Sequence, residues 1–298
     1  MLAIDWGTSS LRVYRLGASG EERGVRSCGD GILRVKDGAF AATLERAAGD
    51  WLANEKPIVM SGMIGSRQGW MEAAYVACPA GLAEIASAMC TVQWNSARGE
   101  AHSGWIAPGL RCLDQAGVND VMRGEEVQVL GIIDQLGPGE HHICLPGTHS
   151  KWVVVRDDLI ISFSTCMTGE VFAVLKQHSI LARTMARDSF EQTDFINGAA
   201  RSADPGGLLH HLFGVRAQVL AGQIADDHSA SYLSGILIGH ELRSVTSRVN
   251  RFHLVGNAEL AALYSLAASE MGMSATVHDA GAAPRGLFAL AQYRKDDM

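Results

Sequence analysis

A short strand–turn–strand motif occurs twice in this sequence, and it restricts the available folds more than any other feature. Trp6-Gly7-Thr8-Ser9-Ser10-Leu11-Arg12-Val13 lies over Pro146-Gly147-Thr148-His149-Ser150-Lys151-Trp152-Val153, with Gly, Thr, Ser and Val at matching offsets. Each copy joins two apolar-rich runs, 2–6 to 11–16 and 142–145 to 151–156, so each reads as a β-hairpin. A doubly wound nucleotide fold begins strand–glycine loop–helix, whereas the first glycine turn here leads into another strand. The expectation is two α/β halves, each opening with a hairpin.

The remaining chain fits that plan. Helical periodicity runs over 40–53 and 80–91, with short strands at 57–61 and 104–108 and a glycine-rich loop at 62–69. A helix is expected over 124–136, with Glu125 and Glu126 in its first turn. Gly137-Pro138-Gly139 then breaks the chain and is the best boundary, giving domains at 1–136 and 137–298. Beyond the second hairpin a strand at 159–165 precedes helices at 170–185, 189–200, 205–225 and 229–248. A strand at 252–255, a helix at 258–271, a strand at 274–278 and a helix at 284–293 follow; this last helix has the option of packing back on the first domain.

Composition narrows the class. The 298 residues are 47% hydrophobic and 19% charged with 33 Gly and 7 Pro, which excludes disorder, collagen and coiled coil. A net charge of −7 provides no basic field for nucleic acid or anionic lipid. No uncharged apolar run reaches the roughly 18–20 residues that a bilayer span requires. The start of the chain lacks the pattern of a signal peptide. Six scattered cysteines without CxxC pairs read as buried thiols in a reducing compartment, so a cytoplasmic protein is expected. P-loop, Rossmann, serine-hydrolase and zincin motifs are all missing from the sequence. The adjacent pairs His141-His142 and His210-His211 lack helical metal spacing and are expected to be solvated.

Small-residue turns with free N–H groups form anion nests. A single Gly-Thr turn is ordinary hairpin chemistry, but two in matching contexts point to phosphate, with Gly7, Thr8, Ser9, Gly147 and Thr148 as the contacts. Arg12 and Lys151 lie just beyond the turns and either stabilise phosphate charge or face solvent as ordinary strand residues. Asp5, immediately before the first turn, suits either a hydrated Mg2+, which takes few protein ligands, or a simple cap of the turn; the second copy has Leu145 at that place. Gly256-Asn257, between a strand and a helix, would let a base or ribose approach the backbone.

The order nest, nest, glycine-opened helix resembles the sugar kinase, actin and Hsp70 superfamily. Within it the chain is similar, essentially end to end, to the 2-dehydro-3-deoxygalactonokinase family. The carrying segments are IDWGTSSLR (4–12), MSGMIG (60–65) with Gly69-Trp70, VMRGEE (121–126), PGTHSKWV (146–153), MTGE (167–170) and LSGILIGHE (233–241). The resemblance implies two RNase H-like domains closing on a central cleft. It also implies ATP-dependent phosphorylation of 2-dehydro-3-deoxy-D-galactonate at its terminal hydroxyl. Glu125 and Glu126 are then the candidates for the base, because that segment also resembles the Gly-x-Glu-Glu segment of related exopolyphosphatases. Their placement in a helix's first turn is equally what the macrodipole favours. Ser66, Arg67, Gln68, Arg123, Glu170 and His149 are candidates for holding the sugar acid. Ser234, Gly235 and Gly239 suit either a connector at a hinge or a close helix contact. Three alternatives stay open: a phosphohydrolase of the same superfamily, a kinase for another keto-deoxy acid, and a nucleotide-binding protein without turnover.

Overall fold

The computed structural model describes residues 1–114, 116–185, 189–245 and 249–296. The chain divides into two compact units, one of Met1–His141, Val153–Ser164 and Asp279–Met298, the other of His142–Trp152 and Thr165–His278. In chain order the first nine strands are Leu2–Trp6 (β1), Leu11–Leu16 (β2), Glu22–Cys28 (β3), Ile58–Ser61 (β4), Val76–Ala77 (β5), Cys90–Asn95 (β6), Ala101–Ile106 (β7), Leu110–Leu113 (β8) and Asn119–Met122 (β9). Glu140–Leu145 (β10), Ser150–Arg156 (β11), Leu159–Cys166 (β12), Arg251–Leu254 (β13) and Ser274–Val277 (β14) complete the set.

The sequence repeat has a topological counterpart. One sheet has the order β3-β2-β1-β4-β7-β6 and another β12-β11-β10-β13-β14. In each, a three-strand meander lies beside a parallel neighbour, β1 with β4 and β10 with β13. Interior parallel strands are buried on both faces and read as continuous apolar runs. In β1, Leu2, Ala3, Ile4 and Trp6 are fully buried, and all of β4 is buried. Each large side chain here contributes about 1.5–3 kcal/mol through burial. Phe40, Leu44 and Leu52 from the helices Phe40–Ala48 and Trp51–Asn54 pack on the same core.

Several expected elements differ. The helix over 40–53 is two helices separated at Gly49-Asp50. That over 80–91 shortens to Leu82–Ser87, because Cys90–Asn95 pairs antiparallel with β7; its β-branched and aromatic residues with a ready partner outweigh helical periodicity. The helix over 124–136 is Glu125–Leu130 followed by a 3-10 turn, Ile133–Gln135. The one over 170–185 ends at His178, where Ser179 Oγ accepts from Leu181 N at 3.0 Å and starts a new turn. The helix over 229–248 is Ser229–Val245, and its last three expected positions lie outside the described residues. The strand expected at 104–108 begins earlier, as β7.

Two histidine expectations are corrected. His210 is exposed, but His211 is fully buried, with Nε2 3.2 Å from Pro205 O and Nδ1 2.9 Å from His240 Nε2. A carbonyl can only accept, so His211 donates from Nε2. His141 and His142 are half-buried, and His141 Nε2 meets Gly137 O at 3.2 Å. In the second unit, Gly235 packs so closely on the helix Gln192–Arg201 that a Cβ would lie 2.0 Å from Phe195 O.

Candidate active site

In the first unit Asp5 is the one residue of β1 that is not buried, and it pairs in register with Arg12 of β2 and Ser61 of β4. Its Oδ2 accepts from Arg12 Nη1 at 3.3 Å, and its side chain is 22% exposed. Burial raises the carboxyl above its ordinary value against the pull of Arg12. The turn that follows is held by Gly7 N donating to Ser10 O at 2.9 Å and by Ile32 N donating to Gly7 O at 3.0 Å. Thr8 and Ser9 remain exposed at its tip.

Two glycines bring further residues to Asp5. Gly62 follows β4 with φ +91°, and a Cβ there would lie 2.8 Å from Trp6 O and 3.6 Å from Asp5 Oδ1. Gly124, with φ +106°, would place a Cβ 3.2 Å from Gly62 Cα. Only glycine tolerates both the backbone angle and this approach. The helix Glu125–Leu130 therefore starts beside the Asp5 turn. Its two glutamates diverge, as neighbours on a helix must. Glu125 is partly exposed and its Oε2 accepts from Arg123 N at 3.0 Å. Glu126 is fully buried, with Oε2 accepting from Gly124 N at 2.7 Å and Oε1 unpartnered. Burial, aided by the Glu125 charge, pushes the Glu126 carboxyl up to about 8.

Arg123 donates from Nη2 to Ala73 O at 2.8 Å and lies over the Tyr75 ring at 4.3 Å. Its Nε and Nη1 are buried with no partner, as is Ser66 Oγ. Such groups cost about 1–3 kcal/mol each when left unmet, so these atoms have donor capacity that could serve an acceptor. A Cβ on Gly65, next to Ser66, would lie 3.0 Å from Arg123 Nη1. Arg67 and Gln68 are exposed, and Arg67 Nε binds Glu72 Oε1 at 3.0 Å. The structure thus separates Ser66 and Arg123 from the other two candidates of that loop.

In the second unit, Gly147 and Thr148 form a turn against the start of the helix Thr168–His178. Glu170 N donates to Thr148 O at 2.9 Å, and a Cβ on Gly169 would lie 2.4 Å from Gly147 O. A helix N-terminus at this place favours negative charge. His149 Nε2 is hydrogen-bonded to Glu170 Oε2, and both side chains are near half exposed. Lys151 does not face solvent: it is 5% exposed and donates from Nζ to Thr165 Oγ1 at 2.7 Å.

Beside Gly147 and Gly169 opens a cavity of about 500 Å³ whose walls include Phe172, Phe190, Leu260 and Leu263. A Cβ on Gly256 would lie 3.7 Å from Pro146 O, so the two segments run close together. Asn257 Oδ1 caps the helix Ala258–Glu270 by accepting from Glu259 N and Leu260 N at 2.9 and 3.1 Å. Glu259 and Leu260 line the cavity. The expected third element therefore borders the second turn. Sequence reasoning missed the aromatic wall and Thr168; the MTGE segment was the signal for the latter.

Residues 5–290 match the family model described as 2-keto-3-deoxy-galactonokinase. The chain belongs to that family. It is 39% identical over 300 residues to a Rhizobium meliloti (strain 1021) protein named "probable 2-dehydro-3-deoxygalactonokinase", covering 97% of this chain and 96% of the relative. It is 34% identical over 278 residues to the Escherichia coli (strain K12) 2-dehydro-3-deoxygalactonokinase, covering 92% and 91%. A crystal structure from Sinorhizobium meliloti, provisionally assigned to the same kinase, superposes with TM-score 0.89 at 37% identity over 98% of both chains. The Clostridium difficile activator of 2-hydroxyisocaproyl-CoA dehydratase, at 12% identity and TM-score 0.53, shares the fold alone. This 2-keto-3-deoxy-galactonokinase family member has the two-domain α/β fold expected from its repeat. Among the described residues, no helix is long and apolar enough to cross a membrane.

Proposed function

We propose that the chain transfers the terminal phosphoryl group of ATP to the terminal hydroxyl of 2-dehydro-3-deoxy-D-galactonate, giving the 6-phosphate and ADP. Half-buried Arg123, with two buried donor nitrogens unmet, carries this reading, because a guanidinium poised in this way suits a carboxylate-bearing acceptor. Family membership supplies the substrate class, and the cavity beside Gly147 has the volume and apolar walls that suit a nucleoside.

In this reading Gly7, Thr8, Ser9, Gly147 and Thr148 contact phosphate oxygens, and Gly256 and Asn257 border the nucleoside. Arg12 exchanges part of its Asp5 contact for phosphate, while Lys151 contributes charge from within the sheet. Ser66 and Arg123 hold the acid group, Arg67 and Gln68 lie at its outer edge, and His149 and Glu170 offer contacts to acceptor hydroxyls. Asp5, a single reachable carboxylate, fits a magnesium ion that keeps most of its waters. When bound, that ion supplies neutralisation of phosphate charge.

The acceptor oxygen bonds to the γ-phosphorus as the bond from that phosphorus to the β–γ bridging oxygen breaks, and the hydroxyl proton passes to Glu125. Glu125 is open enough to meet a hydroxyl, whereas Glu126 is shut in and still protonated near neutrality. Glu126 instead holds the Gly124 turn. With no disulfide among the described residues, a reducing, ATP-containing cytoplasm is the proposed setting.

The test is coupled ADP release with ATP and Mg2+, with and without 2-dehydro-3-deoxy-D-galactonate and other keto-deoxy acids. Acid-dependent turnover, greatest with the galactonate, is the expected outcome. Phosphate release without any acid would make the protein a phosphohydrolase, and indifference to every acid would end the kinase reading.

A further inference from the structure

One buried carboxylate ties together the segments that border the cavity of the second unit. The helix Ser229–Val245 lines that cavity with Ser234, Leu237 and Ile238, and the next position on the same face is Glu241. Glu241 is 5% exposed. Its Oε1 accepts from Trp152 Nε1 at 2.8 Å, and its Oε2 accepts from Tyr264 OH at 2.6 Å and from Thr168 Oγ1. Ser150 Oγ lies 2.9 Å from Tyr264 OH and extends the network.

These partners come from separate stretches of chain. Ser150 and Trp152 follow the Gly147-Thr148 turn. Thr168 opens the helix whose Gly169 rests on Gly147, and Tyr264 belongs to the helix opened by Gly256-Asn257. Thr168 and Tyr264 also line the cavity. A carboxylate removed from water is costly unless donors surround it, and in a dry network each hydrogen bond constrains its neighbours strongly. A hydrophobic residue would fill this space without fixing three segments in register.

We propose that Glu241 is a positioning residue for the nucleotide: it sets the spacing between the phosphate turn at Gly147-Thr148 and the nucleoside wall at Tyr264. This rests on the reading of the cavity as the ATP site.

The experiment compares wild type, Glu241→Ala, Glu241→Gln and Tyr264→Phe by calorimetric titration with Mg-ADP, steady-state kinetics in both substrates, and Tm. Glu241→Ala is expected to weaken ADP binding and raise the ATP KM about tenfold or more, as loss of charge-assisted hydrogen bonds predicts, with the sugar-acid KM unchanged. Glu241→Gln keeps an acceptor for Trp152 and presents an amide to hydroxyls that can accept, so it should recover most of the affinity. Tyr264→Phe removes one donor and should fall between wild type and Glu241→Ala, which preserves the test if the alanine variant does not fold. Unchanged ADP affinity in the folded variants, or ATP and sugar-acid KM rising together, overturns the role of Glu241 alone. Wild type that fails to bind ADP overturns both this role and the nucleotide reading.

Discussion

Residues 6–13 and 146–153 stand at the same point of two sheets, after an interior strand with a parallel neighbour and before its hairpin partner. Their surroundings differ in where charge is kept. Around the first turn Asp5 and Arg12 are both reachable from solvent and pair at 3.3 Å. Around the second, Leu145 replaces the aspartate, while Lys151 and Glu241 are buried. A carboxylate that must meet a cation has to be accessible. One that only holds backbone in place works better dry, where its hydrogen bonds are stronger. Under the proposed reading, the duplicated backbone serves chemistry in one copy and ligand placement in the other.

The strongest way to break that contrast is to exchange losses between the copies. Asp5→Asn should cut kcat about 10²- to 10³-fold with Tm held or raised, because burial already disfavours the Asp5 charge. Leu145→Ala should do the reverse, costing about 2–5 kcal/mol of stability while the folded fraction keeps its kcat. Denaturant unfolding and initial rates measure both; equal losses of rate and stability in the two variants would erase the distinction. Next in size, Glu125→Gln should lower kcat by about 10²-fold as a lost general base, with binding of both substrates retained.

Much of this arrangement was legible in the sequence because it lies in local patterns. The repeated Gly-Thr turn marked two sheets that each contain a hairpin at that turn, and a single carboxylate in the apolar run of β1 marked Asp5. The glycines at 62 and 124 were visible, but their stacking on Asp5 depends on β4 and the helix Glu125–Leu130 meeting across the unit. Long-range burial was also hidden: nothing local separates Glu125 from Glu126, or Arg67 from Arg123, and only tertiary packing puts one of each pair inside. Lys151 shows the same limit, since a strand lysine is usually solvated and this one is enclosed beside Thr165. The strand β3 was missed because none of its seven residues is buried, and β5, β8 and β9 because they span only two to four residues.

The two arginines test the proposed acid-binding region. Arg123→Ala should raise the sugar-acid KM about tenfold or more, the scale of a buried charge-assisted contact, and leave the ATP KM in place. Arg67, 85% exposed and paired with Glu72, should change either KM less than about twofold when replaced by alanine. Substrate-saturation curves for both variants decide it. A larger effect from Arg67 would move the acid group outward along the loop.

The smallest effect on rate is expected for Glu126→Gln, and its signature is in stability instead. An unfolded glutamate titrates near 4.5, whereas burial places native Glu126 at about 8. Between those values the native state binds more protons than the unfolded chain, so stability falls as pH rises. The contribution is fully present below the unfolded value and is lost as pH climbs through the native one. Glutamine cannot titrate, yet its carbonyl still accepts from Gly124 N. The Tm of Glu126→Gln relative to wild type should therefore rise steadily from about pH 5 to about pH 9. A Tm difference that stays flat with pH would mean Glu126 is already ionised at neutrality, and the choice of Glu125 over Glu126 as the base would lose its support.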